Sequence, residues 1–123
     1  MADLEAGILL PNDRVRRMAL DGEVTQIHRG GSRRYAGAGD TFEIEGTIFE
    51  VTGVDERTLG DMTDADARRE GSESLEAYKE RMDRVHGGNF EWDESSRVVR
   101  YRFEQRGRPQ EGRGNANGDR REP

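Results

Sequence analysis

Cysteine is absent from this 123-residue chain, lysine occurs once (Lys79) and tryptophan once (Trp92), and there are three prolines. Without cysteine there is no disulfide framework and no thiolate metal site. No apolar run approaches the ~20 residues of a membrane-spanning helix. The opening Met-Ala-Asp-Leu-Glu is acidic rather than signal-like. The expectation is therefore a cytoplasmic protein with no membrane partner. Apolar residues are scarce as well, at 31% against 37% charged, so the core must be small. The length suits one domain, which still buries roughly 60–70% of its unfolded surface.

What the chain has in place of lysine is arginine, nineteen residues of it, within a net charge of −6. One reading is a salt-rich, halophilic cytoplasm, where acidic surfaces stay soluble and ammonium side chains are avoided. The other is codon bias in a GC-rich genome. In the first case the Debye length falls to about 3 Å near 1 M salt. Arginine would then bind nucleic acid only through short, bidentate or stacked contacts. The charge is uneven: residues 1–60 carry net −4, residues 61–94 net −6, and residues 95–123 net +4. A polyanion should avoid the middle third and seek the last third or a local cluster in the first.

Ile8-Leu9-Leu10, closed by Pro11, reads as a first strand. Asn12 or Asp13 then caps a helix carrying Val15, Met18, Ala19 and Leu20, and Gly22 ends it. Val24 to Arg29 reads as a strand with Val24, Gln26 and His28 on one face. A Gly- and Arg-rich loop follows over residues 30–39. Thr41 to Glu45 and Thr47 to Val54 alternate as two strands joined at Gly46. Thr63 with Asp66 resembles a capping box, and Gly71 closes that short helix. Leu75, Tyr78, Met82 and Val85 form the apolar stripe of the next, which stops at Gly87-Gly88. Arg97 to Glu104 is a strand with Val99, Tyr101 and Phe103 on one face. Residues 106–123 are polar, glycine-rich and aperiodic, and read as a disordered tail after a domain over 1–105.

Gly22-Glu-Val-Thr-Gln-Ile-His-Arg29, with Gly39-Asp40 and Thr63-Asp-Ala-Asp-Ala-Arg-Arg-Glu-Gly71, resembles the ASCH domain family of the PUA-like superfold. The run Asp66-Ala-Arg-Arg-Glu-Gly followed by Ser74-Leu-Glu-Ala-Tyr-Lys is the more specific part, and the likeness spans about residues 7–104. It implies an α+β, β-rich fold: a small twisted β-barrel with helices packed against it and a cleft between the two. The family signature is Gly-x-Lys-x-x-x-x-Arg, and here Val24 stands at the lysine.

Some ASCH proteins look like amidohydrolases that deacetylate acetylated cytidine with a lysine, a threonine and a glutamate. By position these fall on Val24, Ile27 and Glu70, so only the carboxylate is left. Neither valine nor isoleucine can relay a proton. Thr25 points to the opposite strand face from Val24. That mechanism is not expected, and no catalytic residue is assigned. His28 and His86 have no cysteine partners, so no metal site or other cofactor is expected. Glu70 reads either as an ion-pair partner on a solvated face or as a cleft carboxylate accepting from a base edge. Trp92 reads as a half-buried packing residue or a stacking platform.

Arg29, Arg33, Arg34 and Tyr35 put three guanidiniums and a ring on and beside a flexible loop. They suit a nucleic-acid backbone with a base stacked on Tyr35. Arg100 and Arg102 point one way from the last strand. Arg14, Arg16, Arg17, Arg106, Arg108 and Arg113 extend the basic set. The competing reading is a surface whose arginines balance nearby acids. The expectation is a monomeric, non-catalytic module binding single-stranded or modified RNA, tRNA or a modified nucleoside included. Its rivals are an enzyme of the same fold with a rebuilt site, either amidohydrolase-like or ribonuclease, and a protein-interaction or nucleoside-sensing domain.

Overall fold

The structure, a computed structural model, describes residues 3–85, 87–88 and 91–107. His86 and residues 108–123, which include Arg108, Arg113 and most of the expected tail, lie outside the described residues. The elements run β1 (Asp3–Glu5), α1 (Ala6–Leu9), α2 (Asp13–Leu20), β2 (Gln26–Gly30), β3 (Thr41–Ile44) and β4 (Thr47–Thr58). A 3-10 turn (Leu59–Asp61), α3 (Asp64–Arg69), α4 (Leu75–Val85) and β5 (Arg97–Gly107) follow. The strands make one mixed sheet in the order β1-β3-β4-β5-β2, parallel at β1/β3 and antiparallel elsewhere. The fold is α+β as expected, but the sheet is not closed: β1 and β2 remain its two edges, so it is no barrel.

Ile8-Leu9-Leu10 is not a strand. Leu9 and Leu10 are both wholly buried, which an alternating strand with one buried face cannot achieve for neighbours. The chain instead turns helical over α1. The other local signals act as their chemistry dictates. Asn12 accepts from the Val15 N–H and caps α2. Gly22, at φ 83°, ends α2, where the Glu23 N–H reaches the Met18 carbonyl at 2.9 Å. Thr63 and Asp66 complete both arms of a capping box at α3. Glu45 and Gly46 both have positive φ, 48° and 86°, the pattern of a type I′ hairpin turn between β3 and β4.

Two apolar clusters hold the fold. The larger joins α1, α2 and the sheet through Leu9, Leu10, Val15, Val24, Phe42, Phe49, Val51, Val99, Tyr101 and Phe103. Phe42 stacks on Phe49 with centroids 5.1 Å apart, and Phe103 meets both edge-on. Burying each such ring contributes roughly 1.5–3 kcal/mol. The smaller cluster lies under α3 and α4, where Leu59, Met62, Ala67, Tyr78 and Val98 are packed by Leu75, Met82 and Trp92. Val98 and Val99 thus serve different clusters from adjacent positions of β5. Gly71, at φ 92°, lets β2 and α2 close on the end of α3. A Cβ there would lie 3.0 Å from the Met18 sulfur and 3.2 Å from Val24.

Candidate functional site

Edge strand β2 and the start of β5 form one wall of a cleft of about 490 Å³ whose other walls are α2 and α4. Ile27, Leu59, Met82, Val85, Trp92 and Val98 give it an apolar lining, and its size falls within the ordinary range of small-molecule sites, about 300–1,000 Å³. The stripe on α4 positions this wall. Tyr78 is buried and Met82 half-buried, whereas Val85 projects from the cluster with 58% of its surface exposed. Trp92 meets Tyr78 edge-on at 6.2 Å and carries the Lys79 ammonium 4.9 Å over its ring.

At the floor the buried Glu70 carboxylate acts as an acceptor in every direction. It receives the His28 backbone N–H at 3.2 Å, the Gln26 side-chain amide at 3.1 Å, the His28 ring at Nδ1, and the Tyr78 hydroxyl. Burial, reinforced by the Glu70 charge, raises the Tyr78 phenol well above its ordinary range, so it stays a donor. The Arg57 Nη1 lies 3.5 Å from His28 Nε2.

Behind the floor a polar chain runs into the sheet. Gln26 also donates to Asp66 at 3.2 Å, and Asp66 is held by Arg57 at 3.2 Å and by Arg100 at 3.5 Å. Burial works to raise the Asp66 carboxyl. Its hydrogen bonds from Thr63 and Gln26 and the Arg57 guanidinium outweigh that and bring it down to about 2.

Arg81 reaches the cleft from α4. Its Nη2 donates to the Glu70 carbonyl at 3.3 Å, and burial lowers its pKa. Its Nη1 is the buried side-chain polar atom left without a hydrogen bond among the described residues.

The sequence-derived basic residues do not form one surface. Arg29, which lines the cleft, donates to the Ile8 and Leu9 carbonyls at 2.6 and 3.1 Å. Its guanidinium lies 4.2 Å from the centroid of Tyr35, with Arg33 at 5.3 Å from the same ring. These three therefore cluster beside the cleft. Arg34 pairs with Glu56 at 3.2 Å, both exposed. Arg100 makes a two-pronged contact with Asp55, at 3.0 and 2.7 Å, besides Asp66. Its guanidinium is thus committed to carboxylates and does not converge with the loop. Arg102 is exposed and lines a separate open groove near Thr25, Arg69 and Gln105. Arg14 and Arg16 bond the Gly71 and Leu10 carbonyls, and Arg106 pairs with Glu50 and Glu104.

Val24 is sealed in the larger core and Ile27 lines the cleft. Tyr78, Arg81, Gln26 and Asp66 were not among the residues singled out for a site. Arg81 had a signal: it stands three residues after Tyr78 and four before Val85, a charge inserted beside the apolar stripe. Among the described residues, no group of three His, Cys, Asp or Glu could hold a metal ion. No described helix is long and apolar enough to cross a membrane.

No family model and no curated protein matches the chain. Solved structures do. An ASCH domain from Lactobacillus crispatus JV V101 superposes with TM-score 0.60 at 17% identity, over 85% of this chain and 78% of that one. A protein of family-model DUF984 from Enterococcus faecalis V583 gives TM-score 0.61 at 15% identity, over 94% and 82%. The chain therefore has an ASCH-like fold.

Proposed function

We propose that this chain is a non-catalytic RNA-binding module that takes an unpaired, standard or modified base into the cleft between sheet and α4. The observation that carries the reading is the pairing of an apolar-walled cleft of about 490 Å³ with a floor whose carboxylate is saturated by donors. The four donors fix the Glu70 carboxylate in place, so it shapes the floor rather than accepting from a ligand. Val24 and Ile27 carry no group that relays a proton. Apolar walls suit a base removed from its stack, as single-stranded RNA readers use.

Arg29, Arg33 and Tyr35, beside the opening, are the groups best placed to meet the backbone. The solved structures support the reading at the level of fold. In this reading the protein acts as a cytoplasmic monomer, with tRNA or a modified nucleoside as possible targets. Fluorescence anisotropy with short single-stranded RNA at two salt concentrations tests it. Saturable binding that weakens with salt is expected. A folded protein with no measurable affinity at the lower salt overturns it.

A further inference from the structure

Arginines outnumber carboxylates on one face of the sheet. Alternation along β2, β4 and β5 puts Gln26, Asp55, Arg57, Arg100 and Arg102 on that face. Asp66 and Arg69 reach it from α3. Arg100 grips Asp55 through two bonds, at 3.0 and 2.7 Å. Asp66 has Arg57 at 3.2 Å, and its Oδ1 has Arg100 at 3.5 Å and Arg69 at 3.7 Å. Glu70, the third acid here, is enclosed by Gln26, His28 and Tyr78. Arg102 is left with no ion pair among the described residues.

That surplus lies at the open end. Arg69 and Arg102 are both exposed and line the groove of about 860 Å³. Thr25 ties their backbones together. Its N–H donates to the Arg69 carbonyl at 2.9 Å, and its carbonyl accepts the Phe103 N–H at 3.1 Å. Gln26, the cross-strand partner of Arg102, donates to the same Asp66 oxygen that Arg69 approaches. An ion pair that long, with its arginine exposed, holds the guanidinium weakly. The hydroxyls of Thr25 and Thr52, exposed in the same groove, make no hydrogen bond among the described residues. Of the acids lining the groove, Glu104 is paired with Arg106 at 3.0 Å, which leaves Asp21 against two arginines.

Charged and hydroxyl donors that reach one space from α3, β5 and β2 suit a ligand with oxygens in several directions. A tetrahedral phosphate has them, whereas a planar carboxylate is satisfied by the fork of a single arginine. We propose that this groove seats a phosphate group between Arg69 and Arg102, with Thr25 as a hydroxyl donor. The proposal rests on the RNA-binding reading only for the source of that phosphate, the backbone of the bound strand. The seat is a second backbone contact, apart from Arg29, Arg33 and Tyr35.

Amide NMR of the whole chain tests it by titration with inorganic phosphate against chloride at constant low ionic strength. Saturable shifts at Thr25, Thr52 and Phe103 with millimolar affinity are expected, and Arg69→Gln with Arg102→Gln should abolish them. Arg68→Gln removes a charge from the exposed side of α3 without lining the groove, and should leave them in place. Thermal melts establish that the variants are folded. Phosphate that leaves these amides unmoved, or moves them equally in the double variant, overturns the seat. Labelled oligouridylate then identifies the source. If the strand supplies the phosphate, the double variant lowers the salt slope of binding by about 1 to 2 relative to Arg68→Gln. An unchanged slope overturns the strand as the source and leaves a free phosphate in the seat. Oligouridylate that fails to bind folded wild-type protein, with the phosphate shifts intact, overturns the RNA-binding reading and leaves the seat standing.

Discussion

Replacing Glu70 with glutamine separates an anchoring carboxylate from a catalytic one. The wild-type carboxylate accepts the His28 N–H, the His28 ring, the Gln26 amide and the Tyr78 hydroxyl, and the residue is 2% exposed. An amide keeps one acceptor oxygen, so in either orientation its NH2 faces groups that also donate. Two bonds are lost at about 1–1.5 kcal/mol each, and at least one buried donor is left unsatisfied at about 1–3 kcal/mol. The sum is about 3–6 kcal/mol, a large part of a domain's usual stability of about 5–15 kcal/mol. For roughly a hundred ordered residues each kcal/mol is worth about 4 °C, so the midpoint should fall by about 12–24 °C. Urea titration followed by Trp92 fluorescence reads the loss, because Trp92 packs against Tyr78. A change below about 0.5 kcal/mol would refute the anchoring role. A gain in stability would point to the strained carboxylate of an active site.

Asp66 predicts an acid-side dependence. Its pKa is lowered from 3.8 to about 2 in the folded protein, so the stability it contributes is fully present above its unfolded pKa. That stability, about 1–2 kcal/mol, is lost as pH falls from about 4 to about 2. Asp66→Asn should flatten the decline in that window, and an unchanged slope in stability-against-pH curves would contradict the assignment. Arg33→Ala with Arg34→Ala should weaken RNA binding uniformly across sequences and reduce the salt slope by about 1 to 2. Arg33 should carry the larger share, since Arg34 is already paired with Glu56. Sequence-dependent losses in anisotropy titrations would place these side chains at base edges instead.

Local chemistry made much of this fold legible. The caps at Asn12 and Thr63, the left-handed glycines at 22 and 71 and the hairpin at Gly46 each act within a few residues. Alternation along β5 correctly divided Tyr101 and Phe103 from Arg100 and Arg102. Tertiary pairing was not legible. The second strand of the hairpin was expected to end at Val54, yet β4 continues to Thr58 and sets Asp55 directly opposite Arg100. That cross-strand neighbour turns an apparent ligand contact into an ion pair, and no periodicity in polar residues 55–58 announced it. In the sequence Glu70, after two arginines, reads either as a solvated ion-pair partner or as a cleft carboxylate. Its burial depends on β2 arriving from more than forty residues away, with the His28 N–H on an open sheet edge needing an acceptor. The basic residues could be counted but not sorted, since their partners lie on other elements.

Trp92 is the chain's single tryptophan and lines the cleft, so its emission reports occupancy of that space and nothing elsewhere. Titrating short single-stranded RNA at low salt should give a saturable change in this emission, with the same midpoint as the anisotropy of the labelled RNA. RNA that binds without altering Trp92, or leaves both signals flat, contradicts recognition in the cleft.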